Sequence, residues 1–143
     1  SKSAHVYLNY AEALNEYYGE SRQDEVLEYL NAIRERAGIP GYEDSYSQEE
    51  MREMIRHERK IELCYECQRF FDVRRWFIAH GPNGAFNHNE YGLDMSKGEN
   101  ATDKEFFSMT EAAIKRFDIK HYLMPIKASE CELNTELVQA PFY

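Results

Sequence analysis

Tyr7-Leu8-Asn9-Tyr10-Ala11-Glu12-Ala13-Leu14 and, after a short gap, Leu30-Asn31-Ala32-Ile33-Arg34-Glu35-Arg36-Ala37-Gly38-Ile39-Pro40 are the stretches from which the fold is read. In the first, Tyr7, Ala11, Leu14 and Tyr18 recur at steps of four, three and four, which is one face of a helix, with Gly19 following as a C-terminal cap. The spacing predicts a helix over residues 4–18. In the second, Val26, Leu30, Ile33 and Ala37 share a face, Ser21 and Asp24 are available as N-terminal caps, and Gly38 with Pro40 forbids continuation. Two helices joined by a short polar turn make an antiparallel hairpin, and small Ala11 and Ala13 would allow close approach. The pattern is similar to one tetratricopeptide repeat.

Outward from the hairpin, residues 41–46 read as a loop and Ser47-Gln48-Glu49-Glu50 as a capping box that opens a third helix. Met51, Met54, Ile55, Ile61 and Tyr65 form its expected apolar face, with Glu58 and Glu62 at the edge of that face. Carboxylates placed there require cationic partners, and Arg34, Arg36, Arg59, Arg69, Arg74 and Arg75 are the supply. The expectation is a structural ion-pair lattice of Arg34, Glu58, Glu62, Arg69 and Arg75; since breaking a buried pair costs ~3–5 kcal/mol, Glu62→Ala is expected to lower stability far more than ligand affinity. A fourth helix is predicted over residues 69–78, presenting Phe70, Val73 and Phe77, and Gly81-Pro82-Asn83-Gly84 breaks it. Residues 85–104 show neither helical nor strand period and read as a long loop. A short helix is expected over 110–116, an extended segment over 122–127 because of Pro125, and one helical turn over 129–132.

The 143 residues suit one domain or a part of one, and the start, already helical without an initiating Met, reads as a cut inside a longer protein. With 26 acidic against 17 basic residues the net charge is −9, a field that repels phosphate backbones and argues against nucleic acid as partner. No apolar run approaches the ~20 residues that span a bilayer. Three Cys do not make a disulfide framework.

Candidate chemistry is sparse. Cys64-Tyr65-Glu66-Cys67 is a C-x-x-C pair, but no strand precedes it and no further ligands stand at a zinc spacing, so small buried thiols are the expectation. His57-Glu58-Arg59-Lys60-Ile61 lacks the second His of a zinc helix. Paired carboxylates such as Glu58 and Glu62 do acid–base work across a cleft in glycosidases, but on one helix among arginines they read as structural. Nucleophile-elbow, phosphate-loop and dinucleotide motifs do not occur, so the chain is expected to be no enzyme and to need no cofactor or metal. Asn100-Ala101-Thr102 is a glycosylation sequon. In the long loop, Phe86 and Tyr91 with Asn87 and Asn89 have the composition of a sugar-stacking site, a ring for the apolar face and amides for hydroxyls; the alternative is that the rings anchor the loop.

The three ordered blocks together resemble the SusD/RagB proteins. Ile55-Arg56-His57-Glu58-Arg59-Lys60-Ile61-Glu62-Leu63, then Glu66 and Arg69-Phe70-Phe71-Asp72-Val73-Arg74-Arg75-Trp76, is similar to the family's E-R-R-x-E-L…E-G-x-R-x-x-D-L-R-R-W signature. Tyr122-Leu123-Met124-Pro125-Ile126, Glu130, Asn134, Leu137 and Gln139-Ala140-Pro141-Phe142-Tyr143 resemble its closing pattern. Two residues depart from it: Cys67 stands where the family usually has Gly, and Ala140 where it usually has Asn. The resemblance implies a mainly α, tetratricopeptide-like fold with further helices and long loops, in which residues 1–143 are the C-terminal part of a larger domain: 1–40 the hairpin, 47–80 the signature helices, 81–143 a loop-rich region. It also implies a non-catalytic, nutrient-binding protein, its ligand a glycan or another nutrient, at the cell surface of a Bacteroidota-type outer membrane. A SusC-like TonB-dependent transporter is the implied partner, and a lipid anchor outside this chain the only membrane contact. From the hairpin alone, a peptide-binding tetratricopeptide-like scaffold is the alternative.

Overall fold

Ala4, Leu8, Ala11 and Leu14 recur at helical spacing and are all nearly inaccessible in the computed structural model, which describes residues 2–143 and, of Lys2, the backbone alone. They form the buried stripe of α1, Lys2–Tyr18. This stripe is turned one residue from the expected one: Tyr7 and Tyr18 are exposed, and so is Ala13. Rings too large for the seam lie on its flank, where Tyr7 and Tyr10 meet Tyr29 edge-on at 5.3 and 5.0 Å. Gly19 turns the chain at φ 59°, as a C-terminal glycine should.

A 3-10 turn, Gly19–Arg22, leads into α2, Gln23–Arg36. Ser21 does not cap it; its hydroxyl donates back to the Tyr18 carbonyl at 2.7 Å, and Asp24 lies inside the first turn. Val26, Leu30 and Ile33 are buried while Ala37 is exposed beyond the end. That end is a Schellman closure: Gly38 N–H donates to Glu35 O at 2.9 Å and Ile39 N–H to Arg34 O at 3.0 Å. Since Ser3, Ala4 and Tyr7 share a small cavity with Ala32, Ile33 and Arg36, while Tyr10 bonds Glu25, α2 runs antiparallel to α1.

The capping box forms as expected: Glu50 N–H donates to Ser47 Oγ and Ser47 N–H to Glu50 Oε2, opening α3, Gln48–Glu62. Met51, Ile55, Glu58, Arg59 and then Leu63 are its buried positions. Ile61 and Tyr65, expected on that face, are exposed, Tyr65 completely, because the stripe runs through Glu58 and the helix has ended before Tyr65. Asn15 and Gln48 exchange side-chain-to-carbonyl bonds at 3.0 and 2.7 Å, and Arg52 holds Glu16 at 2.6 Å, so α3 is antiparallel to α1 as well. The carboxyl of Glu16 is drawn below the ordinary range by that arginine.

After a turn over residues 63–67 comes α4, Gln68–Arg75. It stops three residues before the expected end, since Phe77 takes φ 57° and Ile78 N–H closes back on Val73 O at 3.1 Å. Of the expected apolar face only Val73 is buried; Phe70 and Phe77 are exposed.

The chain divides into two compact units, Ser1–Phe71 and Asp72–Tyr143. The second corrects two expectations. Within the supposed loop lies β1, Asn89–Asp94, and in place of the helix over 110–116 lies β2, Ser108–Ile114, paired antiparallel with Tyr91 opposite Glu111 and a bulge at Glu90/Tyr91. The Glu111-Ala112-Ala113 run favours a helix, but it offers no buried helical stripe, and a partner strand satisfies its backbone instead. Beside the hairpin Val73, Ala79 and Phe117 are buried, with Phe86 and Tyr122 packed against them. The segment after the 3-10 turn Ile119–Tyr122 is extended, and α5, Ala128–Leu133, is the expected turn slightly lengthened. The fold is mainly α, 48% helix, with a tetratricopeptide-like hairpin. Among the described residues no helix is long and apolar enough to cross a membrane.

Candidate functional site

Glu58 sits in the middle of a buried helical stripe with 4% of its surface exposed, so its charge must be met by protein groups. Its Oε1 accepts from Arg34 Nη1 at 2.5 Å and from the Tyr42 hydroxyl at 2.7 Å. Arg34 also donates from Nε to Pro40 O at 2.7 Å, and its guanidinium lies 4.1 Å over the Tyr42 ring. Burial, reinforced by the bond to Glu58, pushes the Tyr42 hydroxyl up to about 12. Arg59, 3% exposed, donates to Asn9 Oδ1 at 2.7 Å and lies 3.8 Å from Glu12. Glu62 takes Arg36, at 2.5 Å, on a more open surface. Arg75 pairs with buried Asp72 at 2.9 Å in its own helix, and Arg69 is half-buried near the start of α4. Sequence reasoning missed Tyr42, Asn9, Glu12 and Asp72. Tyr42 lies in a loop, where no periodicity marks a half-buried residue.

The aromatic and amide residues of the supposed loop are separated by role. Phe86 packs on Phe117, ring centres 5.7 Å apart, with the Arg74 guanidinium 6.0 Å from its centre. Asn87 donates from Nδ2 to Gly81 O at 2.9 Å and Phe117 O at 3.0 Å, and accepts from Phe117 N–H at 2.5 Å. Both its donors are committed to backbone, which leaves little for a ligand hydroxyl. Tyr91, on β1, has an open ring.

Two open cavities differ in chemistry. In the first unit, about 410 Å³ is lined by Glu20, Gln23, Asp24, Ser45, Tyr46 and Ser47. Carboxylates and hydroxyls beside an aromatic ring suit a neutral polyhydroxyl ligand, which donates to acids and stacks on rings. In the second, about 310 Å³ is lined chiefly by Arg74, Arg116, Phe117, His121, Met124 and Tyr143, an apolar wall with cationic edges. Both lie toward the small end of ligand cavities, ~300–1,000 Å³.

The sequence pattern of the SusD family matches residues 3–143. The chain is 38% identical over 91 residues to SusD-like protein P2 of Formosa agariphila, covering 57% of this chain and 18% of that protein. It is 41% identical over 78 residues to SusD-like protein P25 of the same organism, covering 52% and 14%. The crystal structure of a SusD-like protein from Bacteroides fragilis superimposes with a TM-score of 0.77 at 32% identity, covering 98% of this chain and 25% of that one. The chain thus spans a quarter or less of the length of these relatives.

Proposed function

This chain belongs to the SusD family, and from that premise we propose that it forms part of a non-catalytic nutrient-binding protein whose ligand is a glycan. The observation that carries the reading is the match over residues 3–143, reinforced by a fold shared along 98% of the chain with a solved SusD-like protein. The proposed setting is the cell surface of an outer membrane, with a lipid anchor outside these residues and a SusC-like TonB-dependent transporter as partner.

Local chemistry supports a glycan over an anionic ligand in the first unit, where Glu20 and Asp24 line the cavity beside Tyr46. The second unit offers Tyr91 alone as an open ring of the loop trio, since Phe86 and Asn87 hold the fold together. Each weak stacking contact must offset the cost of ordering ligand and side chains. Ligand contacts on these 143 residues are therefore secondary, and the isolated chain is expected to bind oligosaccharides little or not at all. Glycan-array screening of the full-length protein, with co-purification of the transporter, tests the reading. Failure to retain any glycan and any transporter would sink it. Micromolar binding by the isolated chain that disappears in Tyr91→Ala would move the site to this chain.

A further inference from the structure

Cys64 and Cys67 are both exposed, whereas free cysteine is ordinarily among the most buried of residues. They lie in the turn over residues 63–67, between the end of α3 at Glu62 and the start of α4 at Gln68. Cys64 N–H donates to Ile61 O at 3.2 Å and Glu66 N–H to Leu63 O at 3.1 Å, so the chain reverses tightly here. These bonds close Ile61–Cys64 and Leu63–Glu66; Cys64 and Cys67 bound the overlapping four residues, a spacing along the chain at which a turn can bring Cα atoms into the about 4.4–6.8 Å range that a disulfide takes. Between the two cysteines Tyr65 is wholly exposed, so its ring does not fill the space a bridge would occupy.

Cys67 has φ 59°, the left-handed region in which a β-carbon crowds the backbone and glycine is favoured. A cysteine held there, in solvent, adds nothing to core packing, and what it brings that glycine lacks is a thiol. We propose that Cys64 and Cys67 form a reversible dithiol–disulfide pair across the α3–α4 turn, a modification site for small disulfide oxidants. In the reaction one cysteine thiolate attacks a sulfur of the small disulfide, forming a mixed disulfide and releasing one small thiol. The second cysteine attacks the protein sulfur of that bond and expels the other small thiol. Two protein thiols lose two hydrogens, and one small disulfide becomes two small thiols. Because the bridge closes a very short loop it removes little chain entropy, so it acts as a reversible modification more than as a staple.

The test is to equilibrate the whole chain with oxidised glutathione, quench with acid and alkylate. The thiols of Cys64 and Cys67 should be lost together, with no glutathione retained on either and with a Cys64–Cys67 cross-link in the peptide map. Cys131→Ser should leave that cross-link unchanged, and Cys64→Ser should instead trap glutathione on Cys67. Stable glutathione on both cysteines of the unaltered chain, a bridge to Cys131, or dimers linked between chains would each overturn the proposal. So would thiols that stay reduced in buffer that glutathionylates the Cys64→Ser variant.

Discussion

Among the described residues the first unit gathers ten buried apolar side chains in one cluster, from Ala4 to Leu63, whereas the second gathers three, Val73, Ala79 and Phe117. The helices of the first bury a continuous stripe each, so apolar area accumulates along the sequence. A two-stranded ribbon exposes both faces, and Tyr91, Leu93, Met109 and Ile114 are all more than half exposed. What the second unit lacks in core it replaces with side-chain amides that imitate a strand edge. Asn87 bonds both N–H and C=O of Phe117, and Gln139 bonds both of Ile126 at 2.8 Å. The first unit uses the same device on its loop, where Asn31 clasps Tyr42 at 2.7 and 3.0 Å and Gln23 clasps Tyr46.

The largest effects should come from the buried carboxylate of the first unit and from the largest side chain in the core cluster of the second. Glu58→Ala strips Arg34 and Tyr42 of their shared carboxylate and should cost about 3–5 kcal/mol in urea unfolding. Glu62→Ala should cost less, because its partner Arg36 is half exposed. An equal loss at the two positions would contradict the ranking by burial. In the second unit Phe117→Ala should cost a similar ~3–5 kcal/mol. It should also expose amides of residues 72–143 to hydrogen exchange while α1 to α3 stay protected; loss of protection in both units together would erase the distinction.

Removing a clamp comes next. Asn87→Ala leaves the N–H and C=O of Phe117 without their partner and should cost about 1–3 kcal/mol. Asn31→Ala should cost less, since Gln23 and Arg34 also hold that loop. Comparable losses would show that the two units depend on amides equally.

Acid and alkali probe the first unit from opposite sides. Glu16 and Glu50 are held below the ordinary value of 4.5, by Arg52 and by the Ser47 backbone. The stability they add is present above that value and is lost as pH falls below it. Tyr42 is the reverse case: raised from 10.0 to about 12, its contribution is full below pH 10 and lost as pH rises toward 12. Tyr42→Phe should shrink the alkaline part of the profile, to which Tyr10, raised by its bond to Glu25, also contributes, and leave the acid part intact, as read by helical circular dichroism.

The smallest effect is a gain, expected in the first unit alone. Reduced Cys67→Gly should stabilise by up to about 1 kcal/mol, because glycine takes φ 59° without strain. Phe77 has nearly the same φ, 57°, but its ring stacks on Tyr122 at 4.6 Å, so Phe77→Gly should show no gain. Matching shifts would mean that backbone strain alone governs both sites.

Local chemistry was sufficient to place the helices of the first unit along the chain, though not to set the whole buried face of α1 or α3. The capping box at Ser47, the closures at Gly19 and Gly38 and the stripe of α2 depend on residues within a few positions of one another, and each was legible from spacing alone. So was membership of the family, because its signature blocks are short and ordered. The β-hairpin was not legible, since Glu111-Ala112-Ala113 takes its conformation from a strand some twenty positions away and not from its own propensity. Nor was the second partner of Glu58: that it needed a cation followed from its place on an apolar face, and Arg34 stood among the expected arginines, but Tyr42 reaches it across 16 positions through a loop with no periodicity. The cysteines show the same division. Their spacing was plain in the sequence, but that they face solvent, with Cys67 in a left-handed turn, was decided by where α3 ends and α4 begins. Short-range hydrogen bonding and periodicity act between neighbours and can be read one residue at a time; pairing, burial and exposure depend on which distant segments the folded chain brings together.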